Sequence, residues 1–541
     1  MSRTREAAPR SLNRVGCGAI GIWAIGLFGF VFAQSNGPRF PDNPNVHQTG
    51  NTAAGRDVFR FETFGNEGFW TDAVRLPAGM MATNFTPLRA LQNGLSIDSE
   101  ALDPALRAAL AAELRTNLSA AQAPLLNSVN TTVALINANA VIGLPPKDTN
   151  RDGRINILAG DKVGASCALC HTITDASVFN LPTGGSIGRR LDGRAPHTLN
   201  FGNLVATGTN SMAYYPVLQL SLAANGGATL GLAPRGLTEN STEAEADAYL
   251  SNPAFYPVGT FDDTVDGNGD PMHNAALFRT DLAAPWGTEG GIQFLDNFGN
   301  LVYTALLDPT TLTTAGGRAF LRTFGGDAAG TEIANDYVQV LTRTGVTGYP
   351  FAQAAAHPRP GTEAAPLGVR VDNTKLLDMN AYLNSLPAPA GVTENNEGAI
   401  MRGRERFRIN CTFCHNVDQS TFVPPAIVQM RFIFPGDNPM TLLPQRMAPF
   451  NPILDTPGNT FDDKMAVVNA SQRGLERGTA LPLLLDLARK PNFLHDSSVP
   501  NLDALLSPTR GATAPHPFYL SDEGQRQDMI AFLRSLDTSS R

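Results

Sequence analysis

The chain has 541 residues, 42% of them hydrophobic and only 17% charged, with a formal net charge of −8. That length suggests roughly three domains and is ample for a full apolar core, and the acidic balance argues against a nucleic-acid partner. The 51 Gly and 39 Pro point to many turns and long irregular connections.

Residues 1–33 read as a signal peptide. Arg3, Arg5, Arg10 and Arg14 form a basic start, Val15 to Phe32 is uncharged and mostly apolar, and Val31-Phe32-Ala33 offers small residues at −3 and −1 before Gln34. The run also approaches bilayer-spanning length, so an uncleaved anchor is the alternative, and a membrane contact is expected only in that case. Either way the remainder is expected outside the cytoplasm. Cys17 belongs to the leader and is not a candidate site.

Residues 34–147 read as an N-terminal extension, partly helical. Gly55 to Trp70 is dense in aromatics: Phe59, Phe61, Phe64, Phe69 and Trp70. They suit either a core-packing segment or a cover over a cofactor edge. A helix is expected over 98–122, with Asp98 as cap, Pro104 early, and Leu102, Leu106, Leu110 and Leu114 on one face. A second helix is expected over 124–143, with Leu125, Val129, Val133 and Ile136 as its apolar stripe.

The run Asp148-Thr149-Asn150-Arg151-Asp152-Gly153-Arg154-Ile155-Asn156 follows. It matches the first half of a calcium loop, with side-chain oxygens from Asp148, Asn150 and Asp152 and Gly at the sixth position. Position 12 is Ala159, and Asp161 is the nearest carboxylate, so a plain Asx-rich turn is the alternative. A second acidic run, Asp262 to Asp270, is a weaker candidate of the same kind.

Next comes Cys167-Ala168-Leu169-Cys170-His171, and far downstream Cys411-Thr412-Phe413-Cys414-His415. C-x-x-C-H is the attachment signature of c-type haem. Two thiols at this spacing add across the two vinyl groups of one porphyrin, and the adjacent His reaches the iron from the same side. A redox dithiol or half of a zinc site is the alternative. The immediate His, the repetition, and the lack of a second nearby C-x-x-C argue for two haems. Attachment of this kind in bacteria takes place outside the cytoplasm, which agrees with the leader.

After the first motif, Arg189, Arg190 and Arg194 are candidates to pair with haem propionates, against a solvated basic turn. Residues 200–380 read as long and irregular. Leu376 to Leu386 reads as an amphipathic helix, and Pro387 to Gly391 as a break. From 392 onward, Gly403, Phe407 and Cys411 stand four apart on a helix leading into the second motif. A closing helix is expected with Ser521 as cap and Met529, Ile530, Phe532, Leu533 and Leu536 as its buried face. The two haem modules are placed at 148–389 and 392–541.

The two haem motifs, 244 residues apart, together with Pro491-Asn492-Phe493-Leu494-His495-Asp496-Ser497-Ser498-Val499-Pro500-Asn501-Leu502, resemble the di-haem c-type cytochrome superfamily. That superfamily includes bacterial di-haem cytochrome c peroxidases and rubber oxygenases. Ser497 stands where Gly is usual. The resemblance covers 392–541 well, 150–390 less well, and little before that. It implies a mainly α-helical chain with two cytochrome c-like haem modules, long irregular insertions and an N-terminal extension. It also implies two haem c groups, a calcium ion at the domain junction, and Trp286 as an electron relay between the haems. Trp286 is the only Trp between the motifs, and a core Trp is the alternative.

The proximal iron ligands are expected to be His171 and His415, and the thioethers to form at Cys167, Cys170, Cys411 and Cys414. Across the second haem, His516 is the first candidate, ahead of His495 and of Met440 or Met447. Across the first haem, His197, Met212, Met272 and His273 lie in the right interval, and an open position is equally compatible. The expected role is periplasmic electron transfer between redox proteins. The alternative is a peroxidase or oxygenase with the first haem as reactive centre. No acid–base set is assignable from the sequence.

Overall fold

The computed structural model describes residues 49–218, 237–252, 256, 258–262, 271–283, 286, 292, 294–355, 369–412, 415–420, 422, 427–429, 478–480, 483–493, 499–508 and 519–539. The leader, Cys414, His495, His516, Met440, Met447 and the acidic run after Asp262 lie outside the described residues. The described chain is mainly helical. Among the described residues no helix is long and apolar enough to cross a membrane.

The helices that matter for the site are α1 (Thr52–Phe61), α2 (Pro104–Glu113), α3 (Val129–Asn137), α4 (Ala168–His171), α5 (Leu295–Leu301), α6 (Ala315–Arg343), α7 (Asn373–Ser385), α8 (Glu397–Asn410) and α9 (Glu523–Ser535). Strands are short. β1 (Ile97–Asp98) runs parallel to β4 (Ser186–Gly188) in a small sheet, with β3 (Phe179–Asn180) antiparallel on the far side of β4. β2 (Thr172–Thr174) pairs with β5 (Arg190–Asp192), and β6 (Thr260–Asp262) with β7 (Pro271–His273).

Two helix crossings organise the chain, and they repeat each other. α1 packs along α7, and α8 along α9. Gly55 sits so close to α7 that a Cβ there would lie 1.8 Å from the Asp378 carbonyl oxygen, and a Cβ on Gly403 would lie 2.0 Å from that of Asp528. One turn on, Phe59 meets Tyr382 at 5.8 Å between ring centres, and Phe407 meets Phe532 at 5.3 Å. The sequence repeats with the geometry. Gly55-Arg56-Asp57-Val58-Phe59-Arg60 matches Gly403-Arg404-Glu405-Arg406-Phe407-Arg408. Asp378-Met379-Asn380-Ala381-Tyr382-Leu383 matches Asp528-Met529-Ile530-Ala531-Phe532-Leu533. In each case glycine permits the close approach and the aromatic pair seals it.

Each crossing anchors its own core. The large core runs from Val58 to Leu485 and takes in Phe69, Trp70, Ile97, Leu110, Leu169, Tyr303, Leu321 and Leu383. The small one holds Phe407, Phe493, Val499, Leu502, Leu506, Met529, Phe532 and Leu533. Residues of 34–147 and of 148–389 therefore share one core. The aromatics Phe59, Phe64, Phe69 and Trp70 are buried within it.

Several expected boundaries move. α2 is shorter than 98–122 and is capped by Asp103, whose side chain accepts from Ala105 N and Leu106 N. Asp98 is instead strand, and its carboxylate takes Arg190 at 2.6 Å. α3 covers the middle of 124–143. α9 is capped by Asp522 rather than Ser521, through Gln525 N. The largest difference lies in 200–380, which holds the 29-residue helix α6. Its glycines at 316, 317, 325, 326 and 330 lower its intrinsic helix propensity, and packing of its apolar face overrides that.

Candidate functional site

The first C-x-x-C-H forms the single turn α4, held on three sides. Underneath, Ser166 N donates to Gly143 O at 3.0 Å. Gly143 has φ 83, and a Cβ on it would sit 2.2 Å from Leu169 Cα, so only glycine fits under the turn. On the second side, Cys167 N donates to the buried Tyr303 hydroxyl at 3.4 Å. On the third, Gly193 N donates to His171 O and Leu277 N to Gly193 O, each at 2.8 Å. These bonds fix the turn against the segment 275–277.

That segment sets the histidine. His171 Nδ1 lies 2.7 Å from Ala275 O. A carbonyl can only accept, so Nδ1 carries the proton and Nε2 keeps its lone pair. Burial pushes the His171 pKa down to about 4, with the Ala275 contact opposing it only in part. The imidazole is thus neutral at physiological pH, which is the form that binds a metal. Cys167 and His171 open onto a cleft lined by Leu277, Leu295, Phe298, Val302, Met379 and Leu383. Burial raises the Cys167 thiol to about 11 and the Cys170 thiol to about 12. Neither is a ready thiolate, which weighs against a redox dithiol here. Two thiols and an oriented neutral imidazole are the donor set that a covalently held haem uses, while the apolar cleft beside Cys167 and His171 has only about 290 Å³ of empty space and would have to widen around a porphyrin.

Part of the second motif is described. Cys411 closes α8, its N–H donating to Phe407 O at 2.8 Å, and His415 N donates to Cys411 O at 2.8 Å. The His415 ring lies 6.3 Å from that of Phe407. The motif therefore sits directly on the second helix crossing.

Other expected residues are placed as follows. Arg189 is taken by Asp175 at 2.8 Å, and Arg190 by Asp98, with Nη2 also donating to Asn139 O at 3.1 Å. Both have a carboxylate partner within the protein, Arg190 Nη1 is buried without a partner, and Arg194 is half-buried. Trp286 is buried and bridges Ile292 through paired backbone bonds, outside the cleft lining. His197, Met212 and His273 are also absent from that lining, and the Met272 side chain lies outside the described residues.

The calcium-like loop folds on its own hydrogen bonds. Asp148 Oδ2 accepts from Gly153 N, Asn150 Oδ1 from Asp152 N, and Asp152 Oδ1 from Arg154 N, all at 2.8–2.9 Å. Asp161 closes it by accepting from Thr149 N at 3.0 Å and Asn156 N at 2.8 Å. Asp148 Oδ1 alone is buried with no partner. Among the described residues no three of His, Cys, Asp and Glu converge on one point, and the loop is a formed turn with one spare carboxylate oxygen.

The sequence alone did not point to Tyr303, Ala275 O, Leu277 or the α5 side chains. A backbone carbonyl carries no residue-type signal. Met379 and Leu383 sat on an expected helix, whose apolar stripe does not say which core it faces.

No family model matches the chain, and no curated protein does. Among solved structures, hydrazine synthase of Kuenenia stuttgartiensis, pressurized with xenon, aligns with 60% of this chain and 87% of its own. The identity is 14% and the TM-score 0.24. A similarity of that size carries no argument.

Proposed function

We propose that this chain is an exported di-haem c-type cytochrome that exchanges electrons with periplasmic redox proteins. The observation that supports it best is the placement of the first motif. Cys167 and His171 open onto one apolar cleft, with His171 Nδ1 committed to Ala275 O and Nε2 left for iron. A bound haem would supply one-electron transfer between ferric and ferrous iron. The chain's part is to hold Cys167 and Cys170 for the thioethers, to fix the His171 ring by the Ala275 bond, and to keep water off through Leu277, Leu295, Phe298, Val302 and Leu383. Cys411, Cys414 and His415 do the same for the second group. The loop at Asp148, Asn150 and Asp152 remains a calcium proposal, supported by the orphaned Asp148 Oδ1.

A second reading turns on the sixth position of the first haem. Among the described residues lining the cleft beside His171 there is no second imidazole but there is the Met379 thioether, so a peroxidase or oxygenase requires that Met379 leave the iron open to peroxide or oxygen.

Pyridine haemochrome analysis of the purified protein should give two covalent haems per chain, and one after Cys167→Ala with Cys170→Ala. No covalent haem in the wild type would sink the whole proposal. An EPR spectrum of the ferric protein then separates the readings: two low-spin haems favour the carrier, and a high-spin component favours the enzyme.

A further inference from the structure

Three nitrogen-bearing side chains from distant stretches meet where the two cores adjoin. Lys490 Nζ lies 3.0 Å from His273 Nε2 and 5.7 Å from the centre of the Phe493 ring, which belongs to the small core. His197 stands close enough that the Lys490 charge opposes its protonation. The backbone explains the meeting. His273 pairs with Thr260 across β6 and β7, Gly259 N bonds Leu199 O at 2.8 Å, and Asn274 Nδ2 reaches Pro196 O at 3.4 Å. The hairpin thus carries His273 against the stretch that holds His197.

Lys490 brings positive charge to the cluster. No carboxylate of the described residues pairs with Lys490. His197 Nδ1 is buried with no hydrogen-bond partner. Burial lowers both pKa values, Lys490 to about 8 and His197 to about 4. A desolvated ammonium beside an unpartnered imidazole is costly unless a negative group completes it. Yet Lys490, His197 and His273 are only half-buried by solvent accessibility, so each keeps surface open to an incoming group. The cluster also adjoins the first motif: Ala275, which orients His171, is two residues past His273, at most ~7 Å of chain.

We propose that Lys490, His273 and His197 form a carboxylate-binding site at the junction of the two modules, and that a haem propionate occupies it. The second half rests on the haem reading above. Lys490 keeps two N–H groups beyond the His273 bond, and His197 adds a third donor once an anion favours its protonation. The site would join the two modules through the cofactor.

The test uses the full-length holoprotein, with covalent haem counted first in the wild type, Lys490→Met, Lys490→Arg and His197→Gln. With a propionate bound, Lys490→Met shifts the propionate-bending band in the resonance Raman spectrum and Lys490→Arg restores it. His197→Gln, which leaves the Lys490–His273 contact intact, shifts it less. Added formate then has no effect on the wild type. If the band is indifferent but formate raises the melting temperature saturably, and about tenfold more weakly in Lys490→Met, the site stands and its ligand is a free carboxylate. If neither the band nor formate responds to Lys490→Met, the proposal is overturned. A wild type without haem fails the haem reading alone, and the formate titration then decides the site by itself.

Discussion

The two helix crossings share a design and differ in what they are joined to. In the second, α8 runs straight into its motif: Cys411 stands four residues after Phe407. In the first, Cys167 stands 108 residues after Phe59. The second module gets its motif position from helix continuity, whereas the first must recover it through long-range contacts. Those contacts are polar and centre on one carboxylate. Tyr382, matching Phe532, adds a hydroxyl that donates to Asp192 Oδ2 at 2.6 Å. Arg60, matching Arg408, reaches the same carboxylate at 2.5 Å, and Thr172 Oγ1 donates to Asp192 Oδ1 at 3.0 Å. Asp192 ends the hairpin that follows the first motif. One carboxylate therefore ties both helices of the crossing to the strand leaving His171.

Cutting that tie should have the largest effect. The Asp192 side chain is 2% exposed, and Asp192→Ala would leave the Arg60 guanidinium without its anion. The expected loss is about 3–5 kcal/mol in urea unfolding. Arg408 is exposed, so Arg408→Ala should change stability by no more than about 0.5 kcal/mol. Haem occupancy should fall at Cys167 and Cys170 and hold at Cys411. An equal fall at both motifs would mean that Asp192 is not specific to the first.

Acid distinguishes the modules in another way. Asp308, in the first, is fully buried, and burial pushes its pKa up to about 6 despite the N–H groups of Thr310, Phe351 and Ala352. Its folded pKa lies above the unfolded value of about 3.9. Its contribution is therefore complete below about pH 4 and is lost as pH rises through about 6, by up to roughly 3 kcal/mol. In the second module, the Arg402 hydrogen bonds hold Asp528 below the usual range, so its small contribution goes the other way and fades in acid. Urea unfolding from pH 4 to 7, wild type against Asp308→Asn, isolates the first term. If both proteins show the same pH slope, Asp308 is ionised in the fold without penalty.

What the sequence disclosed follows the same division. The second module was legible because motif, leading helix and closing helix lie close to one another or to standard spacing. Gly403, Phe407, Met529, Phe532, Leu533 and Leu536 are buried where periodicity put them, and Ile530 is half-buried. The helix at Leu376 to Leu386 was legible too, but the leading helix of the first module was not. Gly55-Arg56-Asp57-Val58-Phe59-Arg60 carries the same pattern as residues 403–408, and its distance from Cys167 hid the relation. Tertiary facts stayed out of reach: the Ala275 carbonyl on His171, Tyr303 beneath Cys167, and Lys490 against His273 each join segments a hundred or more residues apart. Local propensity also misled where glycine-rich α6 was held helical by its packing.

The finest comparison is between the two glycines. Ala at position 55 or 403 would push its helix off a backbone carbonyl, against a Cβ distance of 1.8 Å or 2.0 Å. Neither carbonyl can move without unwinding its helix, so each substitution should cost about 2 kcal/mol. The consequences for the motifs should nevertheless differ. Cys411 caps α8 through Phe407 O, so a displaced α8 carries the Cys411 thiol with it. Cys167 is held by the Gly143 loop and Tyr303, and α1 reaches the turn only beside it, where Ser166 Oγ donates to Arg60 O at 2.9 Å. Gly403→Ala should thus lower haem occupancy at the second motif, measured by mass spectrometry of the haem peptides. Gly55→Ala should lower stability alone. Loss of haem from Cys167 and Cys170 in Gly55→Ala would show that the first motif still depends on its distant leading helix, and that the long insertion has not freed it.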